Sequence, residues 1–306
     1  MIRTGHIRTF LFMLCLALLV AGVGGMVAYR VEILRLADTL DQSLTLTRRS
    51  IETEIDRFRY LPEVAEQDVR ISRAVTAPQD RQAVAAANRY LETIAAVSGA
   101  DQLYLLDKSG IAVAASNWST PDSFVGIDYS FRPYFRDAME AGAGRFYGIG
   151  VTTGRPGYFL SSRLDLGGGD LAVLVVKIDL TPLQATWRLA AVDTAIADAD
   201  GIIFLSGQPD WLYRPLFALG AQARDHIAVT RRYEGVNFDS AKALLAAQPA
   251  SQADVQPVDL SGRSLVLRRL AMEQEDWQVI QSSPVAPARM TALATAAILG
   301  LTTLAA

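Results

Sequence analysis

Residues 123–163 read SFVGIDYSFRPYFRDAMEAGAGRFYGIGVTTGRPGYFLSSR, and a glycine-rich turn and the run LAVLVVKIDL (171–180) follow them. The first part combines glycines, aromatic side chains, hydroxyl groups and several arginines. Glycine lets backbone N–H groups approach a ligand closely, and arginine supplies positive charge. This stretch therefore predicts a small, shaped, positive pocket.

Two basic residues in this stretch are candidate anion-binding groups. The apolar run before Lys177 predicts a buried strand that carries one charge at its end, and a buried cation needs an anion from the protein or from outside. Arg132 lies between two aromatic residues and directly before a proline. The competing interpretations are ion pairs within the protein, with Asp179 for Lys177 and with Asp128 or Asp137 for Arg132, or a solvated lysine.

Hydroxyl and aromatic residues near these cations are more ambiguous. Thr152, Thr153 and Gly154 form either a simple turn or a cradle of hydroxyl and N–H groups for an anion. Tyr129 and its aromatic neighbours are predicted as core or pocket wall, and Ser161 and Ser162 could serve either role. Arg155 and Arg163 are predicted to lie on the surface.

The composition excludes several functional classes. The chain has 306 residues, is 51% hydrophobic and 20% charged, and carries a net charge of −3, which gives no support for nucleic-acid binding. Cys15 is the only cysteine, and two histidines cannot build a multi-histidine metal centre. No CxxC, HExxH, P-loop or GxSxG motif occurs. We expect neither a metal nor a cofactor in this region.

Two apolar runs predict membrane helices. Residues 10–29 are uncharged, and at ~1.5 Å per residue they span a hydrocarbon core of roughly 30 Å. Arg3 and Arg8 precede them, so residues 1–9 are expected in the cytoplasm. A cleaved signal peptide is the alternative. Residues 288–306 are predicted as the start of a second, truncated membrane helix, which would make the chain a fragment.

Residues 30–76 are predicted as a stalk helix and its connection. Apolar residues recur there at steps of three and four: Ile33, Ala37, Leu40, Leu44, Thr47, Ile51, Ile55 and Phe58. This stripe indicates one long amphipathic helix that ends near Pro62. It either packs on its own domain or pairs with a second copy along a heptad-like seam, and the two interpretations are compatible.

Two hairpin patterns of one design predict tandem modules. LYLLDKSGIAVAASNW (103–118) and TAIADADGIIFLSGQPDW (194–211) share a strand, an Asp-x-x-Gly turn, a second strand and a tryptophan. We predict an α+β fold with a membrane-distal module at 77–190 and a membrane-proximal module at 191–287. Further strands of the second module are expected near 227–233, 255–258, 264–270 and 277–281. Only the first module carries the glycine, arginine and aromatic stretch.

The motifs FRPYF and TTGRPGY, with LVVKIDL after them, resemble the periplasmic sensor region of the C4-dicarboxylate sensor histidine kinases of the DctB type. The resemblance covers most of the chain and implies two tandem PAS-like (double Cache) modules flanked by transmembrane helices. It implies an inner-membrane protein whose residues of about 30–287 lie in the periplasm. The ligand would be succinate, fumarate or malate, bound in the distal module by Tyr129, Arg132, Thr152, Gly154, Ser161 and Lys177.

The resemblance also implies partners that the sequence does not contain. A homodimer through the stalk helix and a cytoplasmic response regulator are expected. A kinase that uses ATP would belong to a parent protein, because no phosphoacceptor-histidine segment or ATP-binding domain lies within these residues, and catalysis by the chain itself stays uncertain. The alternatives are a double Cache sensor of a chemotaxis receptor or a diguanylate cyclase for another small carboxylate or amino acid, and, less favoured, an anchored periplasmic hydrolase.

Overall fold

The chain is described here by a computed structural model that covers residues 2–190, 192–238, 241–246, 255, 257–260 and 262–305. Its helices are α1 (Ile2–Asp56), α2 (Leu61–Glu66), α3 (Val69–Thr76), α4 (Arg81–Ser98), α5 (Pro133–Ala141), α6 (Thr181–Arg188), α7 (Ala221–Thr230) and α8 (Ala286–Ala305). Its strands are β1 (Gln102–Asp107), β2 (Ala112–Ala115), β3 (Ala143–Ile149), β4 (Pro156–Asp165), β5 (Leu171–Ile178), β6 (Asp193–Ala197), β7 (Ile203–Ser206), β8 (Val258–Leu260), β9 (Arg263–Met272) and β10 (Trp277–Pro284). The predicted α+β class, with a long N-terminal helix, is confirmed.

The strands form two antiparallel sheets with the same spatial order. One sheet runs β2-β1-β5-β4-β3 and the other runs β7-β6-β10-β9-β8. In each sheet a hairpin comes first, and the last strand of the module inserts beside the first strand of that hairpin. The predicted duplication of one α+β module is therefore present in the strand topology.

The duplicated turns use the same local chemistry. The Asp107 carboxylate accepts the N–H of Ile111 at 3.0 Å, and the Asp198 carboxylate accepts the N–H of Ile202 at 2.9 Å. Each turn closes on a glycine with positive φ, which a residue with a Cβ adopts only under strain. At Gly110 an added Cβ would also lie 2.7 Å from the backbone of Ser130. The glycine thus allows the segment that carries Tyr129 to dock on the hairpin.

The chain divides into two compact units, and each contains one sheet. Unit 1 comprises residues Met1–Arg48, Trp187–Ala218 and Lys242–Ala306, and unit 2 comprises Arg49–Thr186 and Leu219–Ala241. The second module was expected to have a strand at 227–233, and this prediction is wrong. Helix α7 covers most of that segment, and Arg231 ends it in the left-handed conformation. Of the expected strand at 255–258, only Val258 lies in a strand, β8, residues 255 and 257 do not, and residue 256 lies outside the described residues. Strands β9 and β10 are confirmed.

The apolar stripe of α1 is buried in the units themselves. Ile33, Ala37 and Leu40 pack with residues of β9 and α8 in unit 1, and Leu40 is 1% exposed. Ile51, Ile55 and Phe58 are buried in unit 2. The stripe therefore packs on its own domain, as one of the two interpretations expected.

Two helices are long and apolar enough to cross a membrane. One lies in the span Phe10–Glu66, which contains most of α1, and the other is α8. Small residues bring them close together within unit 1. A Cβ placed on Gly25 would lie 3.0 Å from the Cβ of Ala296, and one placed on Gly300 would lie 3.3 Å from the Cβ of Ala21. Close backbone approach through small residues is typical of packed membrane helices.

Replacing Leu40 with Asp should unfold unit 1, because the carboxylate would enter an apolar core without a partner. We expect a loss of about 3–5 kcal/mol in the free energy of unfolding. Leu34→Asp is the matched control, since Leu34 lies on the same helix and is 54% exposed. Thermal melts at several protein concentrations measure both changes. A loss that disappears at high concentration would indicate a seam between copies instead.

Candidate functional site

Arg132 is a buried cation stabilised by backbone carbonyls. Pro133 begins α5 and disfavours helical backbone at the preceding residue, so Arg132 is extended (φ −73°, ψ 137°). Its side chain is buried, with Nη1 donating to the carbonyl of Arg231 at 3.2 Å and Nη2 to that of Ile149 at 2.8 Å. Burial lowers the pKa of its guanidinium. The expected ion pairs with Asp128 or Asp137 are absent from the described structure, so the guanidinium of Arg132 is hydrogen-bonded but lacks an ion pair.

The carbonyl that binds Arg132 comes from a distant part of the sequence. Residues 231–232 follow α7 and lie along the end of β3, where Ile149 donates its N–H to the carbonyl of Arg232 at 2.8 Å. The left-handed backbone of Arg231 (φ 48°) turns the chain at this point. An ion pair between the Arg231 side chain and Glu234 at 2.8 Å stabilises the turn.

Lys177 is the second buried cation, and a carboxylate neutralises it. It lies near the end of β5, opposite Gln102 of β1 and Phe159 of β4, and its side chain is 2% exposed. Its Nζ is 2.6 Å from Oδ2 of Asp101, and the Asp101 N–H donates to the Lys177 carbonyl at 2.9 Å. The predicted burial of Lys177 is confirmed, but its partner is Asp101 and not Asp179.

Gly157 makes room for the Lys177 side chain. A Cβ added at Gly157 would lie 2.6 Å from Cε and 3.0 Å from Cγ of Lys177. Any larger residue at this position of β4 would therefore push against the middle of the lysine side chain. Gly157, the second glycine of the TTGRPGY motif, thus leaves space for a buried cation, and its φ is not positive.

Hydroxyl groups line the same cavity as the two cations. The Tyr129 hydroxyl and the Thr152 hydroxyl are 2.8 Å apart, and the Tyr104 hydroxyl donates to that of Tyr134 at 2.7 Å. Burial raises the pKa of both Tyr104 and Tyr134, so these hydroxyls stay uncharged at neutral pH. The cavity is lined by Tyr104, Phe124, Tyr129, Arg132, Tyr134, Gly150, Val151, Thr152, Thr153, Phe159 and Lys177.

This cavity is nearly closed, with a volume of about 10 Å³. A cavity volume of about 10–15 Å³ holds one water molecule, so a four-carbon dicarboxylate needs more room. The turn at residues 150–155 forms part of the wall, and Gly154 adopts a positive φ there. Movement of this turn away from Tyr129 would enlarge the space between the cations.

The structure brings four of the six predicted site residues to the cavity. Tyr129, Arg132, Thr152 and Lys177 line it, whereas Gly154 and Ser161 do not. Gly154 donates its N–H to the carbonyl of Gly150 at 2.7 Å, which closes the turn. Ser161 donates its hydroxyl to the carbonyl of Tyr134 at 2.7 Å. In this conformation both of these groups are committed to backbone partners.

Sequence reasoning missed several groups around the cavity. The Asp101 carboxylate pairs with Lys177, and the Arg231 carbonyl accepts a hydrogen bond from Arg132. No sequence motif marks either residue. Tyr104 could have been noticed, because it lies in a hairpin strand two residues from Leu106, on the face that packs into the core. No cluster of three or more metal-ligating side chains occurs among the described residues. Chemically, the site brings two buried cations and several hydroxyl groups to one small cavity.

Comparison with known proteins identifies related sensors. The C4-dicarboxylate transport sensor protein DctB of Rhizobium meliloti is 33% identical over 240 residues, which cover 76% of this chain and 38% of that protein. DctB of Pseudomonas aeruginosa is 34% identical over 193 residues, which cover 63% of this chain and 32% of that protein. The chain thus spans about a third of the length of these curated relatives. No protein-family model matches it.

A solved structure has the same fold. The sensor domain of the V. cholerae histidine kinase DctB superimposes with a TM-score of 0.75 and 24% sequence identity, covering 83% of this chain and 98% of that domain. The predicted arrangement of two tandem PAS-like modules is confirmed at the level of the fold. The sequence-derived module boundaries stay predictions.

Gly157→Ala should destabilise unit 2, because the new methyl group collides with the confined side chain of Lys177. Overpacking of this kind typically costs about 1–3 kcal/mol in the free energy of unfolding. Gly220→Ala is the control, since nothing lies within 4 Å of an added Cβ there and its φ is not positive. Denaturant unfolding of both variants compares the two sites. Equal stability of the two variants would mean that Lys177 has room to move.

Proposed function

Since this chain is a sensor region of the DctB type in both sequence and fold, we propose that it binds a C4-dicarboxylate in unit 2. Succinate, fumarate and malate are the candidates. The ligand would lie between Arg132 and Lys177, with the Tyr129 and Thr152 hydroxyl groups completing its hydrogen bonds. Gly154 and Ser161 would contribute after rearrangement of their present backbone contacts.

The observation that carries this proposal is the pair of buried cations that line one cavity. Arg132 has no carboxylate partner in the described structure, and a buried unneutralised charge is costly unless a ligand supplies the opposite charge. Charge-assisted hydrogen bonds contribute roughly 1.5–3 kcal/mol each. Two such carboxylate contacts favour a ligand with two carboxylates over a ligand with one.

Binding would require the turn at residues 150–155 to open. The Tyr129–Thr152 contact at 2.8 Å closes the wall of the cavity. A dicarboxylate would replace it with hydrogen bonds from the same two hydroxyl groups. Closure of the turn over the ligand would then exclude water from both ion pairs and strengthen them.

The wider role follows from the relatives, whose additional length lies outside this chain. We propose that ligand binding in the periplasm signals across the bacterial inner membrane, through α1 and α8, to a histidine kinase region that uses ATP and acts on a response regulator. The sensor region itself would use no cofactor. In a homodimer, pairing of α1 would have to use the exposed face of the helix, because its apolar stripe is buried in its own chain.

Calorimetric titration of the whole chain in detergent should detect succinate at micromolar to millimolar concentrations. Lys177→Met should weaken binding at least about tenfold, because it leaves one ligand carboxylate desolvated and unpaired. Arg163→Ala is the matched control, since Arg163 is exposed and donates to the Met139 carbonyl at 2.6 Å. Absence of heat and of thermal stabilisation with all three dicarboxylates would refute the proposed ligand class.

A chimeric kinase tests whether ligand binding to this chain controls phosphorylation. The chain would replace the corresponding sensor region of Rhizobium meliloti DctB, followed by that protein's own remaining sequence. We expect phosphorylation of a response regulator to depend on succinate in the chimera and to lose that dependence with Lys177→Met. A chimera with Arg163→Ala should respond normally. A response to amino acids but not to dicarboxylates would instead favour the chemotaxis-type sensor.

A further inference from the structure

We propose that Asp101 is an internal competitor of the ligand for Lys177. In this role the Asp101 carboxylate neutralises Lys177 before the ligand arrives, and a ligand carboxylate displaces it. Asp101 would then set both the affinity of the site and its preference for two carboxylates over one. This inference rests on the dicarboxylate function proposed above and adds a residue that determines its specificity.

The two partners of this ion pair differ in their access to water. The Lys177 side chain is 2% exposed, and its carbon chain is confined against Gly157. The Asp101 side chain is 28% exposed and immediately precedes β1. A carboxylate at such a position can turn into solvent and regain its hydration, whereas the lysine cannot leave. Asp101 is therefore the displaceable member of the pair.

Charge balance explains why a dicarboxylate would displace it. Arg132 and Lys177 contribute two positive charges and Asp101 contributes one negative charge, so the site has a net charge of +1 with Asp101 in place. A dicarboxylate would leave a buried net charge of −1 if Asp101 remained, and a neutral site if it left. Neutral buried clusters cost far less free energy than charged ones.

The same balance discriminates between ligands. A monocarboxylate can neutralise Arg132 while Asp101 stays on Lys177, and it gains nothing by displacing one carboxylate with another. Only a second carboxylate on the same molecule replaces Asp101 without a further loss of translational freedom. Asp101 thus weakens the binding of a dicarboxylate, which has to displace it, and leaves a monocarboxylate at Arg132 little affected.

The contrast with Arg132 supports this assignment. Arg132 is held by two neutral carbonyls, those of Ile149 and Arg231, which fix its direction without neutralising it. The Glu234 carboxylate acts on Arg132 electrostatically, but it is exposed and forms its ion pair with Arg231 at 2.8 Å. The site therefore has one end that is open to an anion and one end that an internal anion already occupies.

The test compares Asp101→Asn with the wild-type chain, both purified whole in detergent. Removing the competing charge should strengthen succinate binding about tenfold, and butyrate binding by less, because the Coulomb energy scales with ligand charge. The succinate-to-butyrate affinity ratio should therefore rise. Asp179→Asn is the matched control, since Asp179 is exposed, accepts from Thr181, and should leave both affinities unchanged.

A double-mutant cycle in the absence of ligand tests the pairing separately. Melting of Asp101→Asn, Lys177→Met and the double variant should give a non-additive loss of stability. Additive losses, or a succinate affinity that Asp101→Asn leaves unchanged or weakens, would overturn the competition. If the cycle shows coupling but the wild-type chain binds no dicarboxylate, the proposed function fails, and Asp101 is only a structural partner of Lys177.

Discussion

Two buried positive charges in an apolar module are the constraint on which the rest of this site depends. Burial of an unpaired charge costs several kcal/mol, so the protein has to supply partners for both. It does so in two different ways. Neutral carbonyls orient Arg132 and leave its charge available, while a carboxylate neutralises Lys177. This asymmetry leaves one cation of the cavity without an ion pair while the other is neutralised within the protein.

The features that sequence predicted are those encoded by local pattern. The apolar run 171–176 marks a buried strand, so the burial of Lys177 follows from its position at the end of that run. Pro133 fixes the backbone of Arg132, and the repeated Asp-x-x-Gly turns reveal the duplicated hairpins. Each of these signals lies within a few residues of the feature that it predicts, and each has a steric or solvation cause.

The features that sequence missed depend on contacts between distant segments. The carbonyl of Arg231 carries no side-chain signal, and its position depends on α7, a segment that was expected to be a strand. In the sequence Asp101 is one acidic residue among many. Only the pairing of β1 with β5 shows that it lies beside Lys177. The Gly154 N–H and the Ser161 hydroxyl have the right chemistry for an anion, but the first closes a local turn on Gly150 and the second donates to the distant carbonyl of Tyr134.

The second sheet shows that the shared topology does not depend on the buried cations of unit 2. Tyr104 and Ala195 occupy equivalent positions, each three residues before the aspartate of its turn, and they pair with Val175 and Ile280. Two residues further along these partner strands, Lys177 in unit 2 therefore corresponds to Ser282 in unit 1. The same topology without the lysine encloses an apolar cluster that includes Trp211, Leu265 and Ile280. The two modules thus share a scaffold and differ at a few buried positions, and the charged cavity of unit 2 depends on those positions.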